Sequence, residues 1–99
     1  MNIETARKEN EAARERAILA EVGKELGRAR DLGFGLFHSA HEGYAVILEE
    51  MDELKAEVWK NQKYREPKKL RDEAIQVAAM AVKFAASLDE ALREGKEGR

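Results

Sequence analysis

The sequence predicts an all-α fold, a bundle of about three main helices whose core is completed by oligomerisation. Three observations predict it. No proline falls between Ile3 and Arg30, where alanine alternates with the strong helix formers Glu, Arg and Lys. Ser39-Ala40-His41-Glu42 has the form of a capping box at a helix start. Pro67 suits the first turn of another helix, where its missing N–H would have gone unpaired anyway.

The first helix is expected over Ile3 to Arg30. Its first half pairs opposite charges at helical spacing, Glu4 with Lys8 and Arg7 with Glu11, while Leu19, Val22, Leu26 and Ala29 form an apolar stripe in the second half. Only that second half can pack well. Asp31 to His38 breaks the pattern with Gly33-Phe34-Gly35 and forms the first connection. From Ser39, with its side chain accepting from the Glu42 amide and Glu42 reaching back to the N-cap, a second helix runs to about Asn61. The third runs from Pro67 to about Arg93 along a stripe of Val77, Ala81, Phe84 and Leu88. Residues 1–94 thus read as one domain, without internal repeat. The segment 95–99 lacks an apolar anchor and is expected to be a disordered tail.

Composition narrows the function classes. Of the 43% apolar residues, 16 are alanines and 27 are larger, so each helix offers a shallow stripe and a homo-oligomer, dimer or tetramer, is expected. The net charge of -2 gives no global field to attract nucleic acid or an anionic membrane. No apolar run approaches the roughly 20 residues of a membrane span. The N-terminus lacks the basic-then-apolar order of a secretory signal, which points to the cytoplasm. With no cysteine, a metal must be held by carboxylate, amide or imidazole groups, which favours hard ions.

The informative feature is Glu49-Glu50-Met51-Asp52-Glu53, followed by Glu73. At 100° per residue Glu50 falls between Val46 and Leu54 inside the apolar face of the second helix, with Glu53 and Glu57 at its border. Glu73 shares a side with Val77, Met80 and Phe84, and Gln76 lies one turn on. A carboxylate on a core-facing stripe must pair, protonate or bind a cation. If the two helices pack antiparallel, these oxygens form a site for Mg²⁺ or Mn²⁺. Buried salt bridges to neighbouring Lys and Arg are the competing reading.

These residues resemble the MazG-like all-α nucleoside triphosphate pyrophosphohydrolases, whose signature is E-E-x-x-E, a gap, then E-x-x-D. The chain has Glu49 to Glu53, a 19-residue gap, and Glu73-Ala74-Ile75-Gln76. The match spans residues 39–88, and its flanking text is similar to the small phage and bacterial members. The resemblance implies Mg²⁺ ligands at Glu50, Glu53 and Glu73, a fourth ligand position at Gln76, and Glu49 to orient or deprotonate the attacking water. The implied reaction takes a nucleoside or deoxynucleoside triphosphate to the monophosphate and pyrophosphate, as nucleotide-pool housekeeping. Gln76 departs from the family's aspartate and removes one negative charge. The alternative is therefore a non-catalytic helical module of the same fold, binding a nucleotide or a protein partner.

Other features carry two readings each. Lys60, Lys63, Arg65, Lys68, Lys69 and Arg71 either clamp phosphates or form a solvated basic loop. A nucleic-acid-binding role would rest on this stretch alone. His38 and His41 either face one ion or phosphate together or make local contacts. Phe34, Phe37, Tyr44 and Trp59 either pack in a core or subunit contact or stack on a nucleobase.

Overall fold

The structure is a computed structural model that describes residues 2–95; the expected tail beyond Gly95 lies outside the described residues. Helix α1 spans Ile3–Asp31, α2 Ala40–Val58 and α3 Pro67–Arg93, with a 3-10 turn at Gln62–Tyr64 between the last two. Among the described residues there is no strand. The all-α, three-helix expectation is what the structure shows.

Local chemistry sets the ends of α1. The Asn2 side chain accepts the Thr5 amide at 2.7 Å. At the other end Gly33, with φ of 91°, allows the Phe34 N–H to reach the Ala29 carbonyl and the Gly33 N–H to reach that of Arg30, both at 2.9 Å. This pair of bonds closes the last turn with a left-handed residue that glycine adopts without steric cost. Between these ends Arg7 pairs with Glu11 on an exposed first half, as the charge spacing predicts, while Glu4 pairs with Arg7 and not with the expected Lys8.

Helix α2 starts at its predicted cap, the Ser39 hydroxyl accepting the Glu42 amide at 3.1 Å. The return bond differs from expectation: the Glu42 carboxylate accepts from the His38 amide, one residue before the N-cap. The helix also stops at Val58, three residues earlier than the sequence predicts. Arg65 donates to the Val58 carbonyl at 2.7 Å, and the Asn61 side chain accepts the Lys63 amide, starting the 3-10 turn instead of another helical one.

Helix α3 is the shared element. Both α1 and α2 pack on it and not on each other. Val22 of α1 meets Ile75 and Ala79 of α3, flanked by Ile18 and Leu26. Two expected stripe residues are corrected here. Leu19 is 66% exposed, its place taken by Ile18, and Ala81 is exposed because α3 turns Ile75 and Ala79 toward one neighbour and Phe84 toward the other. A single stripe cannot serve two partners.

The α2–α3 hairpin is fixed at one end by a close approach. A Cβ on Gly43 would lie 2.6 Å from the Phe84 ring. Phe37 meets that ring edge-on at a centroid distance of 6.3 Å, and its amide donates to the Ser87 hydroxyl, which donates in turn to the Lys83 carbonyl. Gly43→Ala is expected to lower stability by about 1–3 kcal/mol through overpacking. Gly23→Ala, in open space on α1, is expected to raise it by about 0.5–1 kcal/mol. Urea unfolding of the two variants checks both signs.

Candidate metal centre

Glu50 and Glu53 lie one turn apart on α2, and Glu73 faces them from α3. One carboxylate oxygen from each lies within 4.8 Å of the others. Glu50 and Glu73 are half-buried and Glu53 is exposed. The helical phase that placed Glu50 inside the apolar row and Glu73 opposite therefore brings all three together. Oε2 of Glu50 and Oε2 of Glu73 are each buried without a hydrogen-bond partner, as is Oε2 of Glu57 one turn further along α2.

Two effects act on these carboxyls in the same direction. Desolvation, and then the neighbouring Glu53, push the Glu50 pKa above its ordinary value, with Glu73 and Glu49 adding repulsion. Glu73 is raised by desolvation first and by Glu53 next, against a lowering contribution from Lys69. A divalent cation supplies what the unpartnered oxygens and the clustered charge lack, so the three side chains fit Mg²⁺ or Mn²⁺ as an all-oxygen set.

One turn further on, Glu57 shows the salt-bridged alternative. It is buried, yet its Oε1 accepts Lys60 at 2.7 Å and Lys69 from α3 at 3.3 Å, and these cations hold its pKa below the ordinary value. Buried salt bridging therefore describes Glu57 and not Glu50. The four other cations of the basic stretch are also engaged: Lys68 on Asp72, Arg71 on Glu21, Arg65 on the Val58 carbonyl and Lys63 over the Tyr64 ring.

Glu50 also lines a groove of about 620 Å³ that opens between α1 and α2 above α3. Glu49, Gln76, Met80 and Lys83 share its wall, and Phe34 and His38 of the first connection close one end. The size lies in the range of small-molecule sites. Glu49 is exposed beside the cluster but is not one of the three converging carboxylates. Gln76 is turned toward Glu25 of α1, where its amide adds to the lowering of the Glu25 pKa that Arg28 dominates. His38 has Nδ1 3.7 Å from the Glu42 carboxylate, and His41 is exposed outside the groove lining, so the two histidines do not converge there. Phe37 is core, Phe34 is 62% exposed in the groove, and Tyr44 and Trp59 are exposed on α2 and at its end.

Sequence reasoning missed Glu25, Arg28 and Lys83. Arg28 and Glu25 pair i, i+3 on α1 and line the groove, and Lys83 sits 4.8 Å from the Phe37 ring centroid. No motif ties these residues to the acidic cluster; only the packing of α1 on α3 does. Comparison of the chain with protein-family models, curated proteins and solved structures returns no match.

The raised carboxyls fix a sign for the metal-free protein. A folded-state pKa above the unfolded one means the native state binds more protons, so this contribution to stability is present below the ordinary glutamate value of 4.5 and lost as pH rises through the raised values. Glu57 and Asp72 act oppositely, their contribution being lost as pH falls through their lowered values. Glu50→Gln, melted in EDTA, is therefore expected to exceed the wild-type midpoint at neutral pH, with the difference shrinking toward acid. A variant less stable than wild type at neutral pH contradicts this.

Proposed function

We propose that the chain is a Mg²⁺-dependent nucleoside triphosphate pyrophosphohydrolase of the cytoplasm, converting an NTP or dNTP to the monophosphate and pyrophosphate. The observation that carries this is the pair of buried, unpartnered carboxylate oxygens of Glu50 and Glu73, grouped with Glu53 at the edge of a nucleotide-sized groove. In this reading Glu50, Glu53 and Glu73 hold the ion, and Gln76 offers a neutral amide oxygen nearby.

Bound Mg²⁺ supplies charge neutralisation to phosphate oxygens and acidity to a water. Glu49, exposed on the groove side beside Glu50, orients the attacking water and takes its proton. The water oxygen bonds to the α-phosphorus as the bond to the bridging α–β oxygen breaks, and pyrophosphate leaves with that oxygen. Lys83 presents a cation to the phosphates in the groove, and the exposed Phe34 ring offers a face to the base. No covalent nucleophile is required, in keeping with a chain that has no cysteine.

A second reading is favoured by one observation. Gln76 stands where the resemblance has aspartate, which leaves the site one negative charge short. This favours a module that binds nucleotide or a protein partner without turning nucleotide over.

Pyrophosphate release from a panel of nucleoside triphosphates with Mg²⁺ separates the two readings. Turnover that falls more than about 100-fold in Glu50→Gln is expected for the enzyme. Calorimetric nucleotide binding without turnover, with turnover gained in Gln76→Asp, is the signature of the module. Under the enzyme reading, Mg²⁺ at ten times its dissociation constant stabilises the fold by about 1.4 kcal/mol. That corresponds to a rise in the melting midpoint of about 6–11 °C, and an unchanged midpoint across millimolar Mg²⁺ contradicts that reading.

A further inference from the structure

The α2–α3 hairpin keeps one antiparallel register along its length. Gly43 lies opposite Phe84, Glu53 opposite Glu73, and Glu57 opposite Lys69, so between the last two pairs four residues forward on α2 match four back on α3. The rung of Glu57 and Lys69 is therefore one turn, about 6 Å, from the rung that carries the candidate metal ligands. Three carboxylates converge at the first of these rungs without an ion pair among the described residues, and at the second one carboxylate meets two cations.

Glu57 is held in an unusual way. It is 5% exposed, and both lysines approach the same oxygen, Oε1, while Oε2 is buried without a partner. A salt bridge that fully compensates a buried carboxylate satisfies its remaining lone pairs as well. The lysine side chains are 43% and 51% exposed, so either ammonium can turn to water while the carboxylate cannot. Lys69 acts on both rungs, its charge lowering the pKa of Glu73 as well as that of Glu57. Its own pKa is raised by Glu57 first, with Glu73 and the exposed Glu66 adding to the effect.

We propose that Glu57 marks a second cation position, filled by the ammonium groups of Lys60 and Lys69, which limits the acidic row to a single divalent ion. Charge balance supports this assignment. Glu50, Glu53, Glu57 and Glu73 bring four negative charges and the two lysines two positive ones, which leaves the charge that one divalent ion supplies. Without the lysines a buried carboxylate stands unpaired, and a cation from solvent is the alternative to protonation. A second divalent ion then takes the place, anchored by Glu57, with water and the carboxylates one turn away completing its shell of oxygens. Lysine is suited to keeping that ion out, since its ammonium is compact and its flexible stem brings the charge to the carboxylate from outside the hairpin. The inference rests on the metal reading of Glu50, Glu53 and Glu73, and the count of ions separates the failure of one from the failure of the other.

Binding of Mn²⁺ to the full chain, counted by equilibrium dialysis, tests this. The wild type is expected to bind one ion and the Lys60→Met, Lys69→Met double variant two, and Glu57→Gln added to the double variant is expected to return the count to one. Helical content by circular dichroism shows which variants are folded. Because the double variant removes both partners of a buried carboxylate and can unfold, Lys60→Met alone provides a second test. Its side chain is half exposed at the end of α2, and its loss is expected to tighten the first Mn²⁺ by about three- to tenfold at low salt through reduced repulsion. A wild type that binds no ion beside a double variant that binds one, lost again on Glu57→Gln, upholds the Glu57 position and overturns the metal reading of the other three carboxylates. Two ions on the wild type overturn the proposal. So does a folded double variant that binds no more than the wild type, an extra ion that survives Glu57→Gln, or a Lys60→Met variant with unchanged Mn²⁺ affinity.

Discussion

Packing α2 against α3 through a face that contains carboxylates sets the rest of the structure. Gly43 lets the two helices close on Phe84 at one end, and Glu57 ties them through Lys69 at the other. Between these anchors the helical repeat leaves Glu50, Glu53 and Glu73 with oxygens within 4.8 Å of one another. Two of those carboxylates lose water, and at Glu50 no cation among the described residues offsets the loss. An arrangement chosen for stability alone would place apolar groups or a salt bridge there. The chain does build such a bridge one turn away at Glu57, so the hairpin is able to neutralise a buried carboxylate and leaves Glu50 without that compensation.

The same hairpin divides the molecule into two sides. On one side α1 packs on α3 through Val22, Ile75 and Ala79 and raises a wall opposite α2, which makes the groove. On the other side exposed residues of α2 and α3 face outward. A sparse core, with Val22, Phe37, Ile75, Ala79 and Ala91 as its buried apolar residues, follows from α3 being shared between two neighbours that do not touch. Charge pairs on the first half of α1 maintain a stretch of helix that has no packing partner among the described residues.

What the sequence makes legible is what local rules determine. The ends of α1 and α3 follow from Asn2, Gly33 and Pro67, each acting within a turn of itself, and were within a residue of expectation. The end of α2 was not, because Arg65 reaches back from beyond the turn to cap Val58, and spacing within the helix carries no sign of it. The acidic cluster was legible because a 100° repeat is enough to put Glu50 in an apolar row. Which neighbour each row meets is a tertiary fact. Hence Leu19 and Ala81 were misplaced, and Glu25, Arg28 and Lys83 entered the groove unannounced. The second partner of Glu57 was hidden for the same reason, since Lys69 lies twelve residues on and across the hairpin.

The central claim is that Glu50, Glu53 and Glu73 form a divalent-metal site. Titration of the protein with Mn²⁺, followed by the electron paramagnetic resonance of the free ion, tests it most directly. The account predicts saturable loss of the free-ion signal at a small whole number of sites, reversed by Mg²⁺ and abolished in the Glu50→Ala, Glu73→Ala double variant. A free-ion signal indifferent to the protein, or reduced equally by a folded double variant, contradicts it.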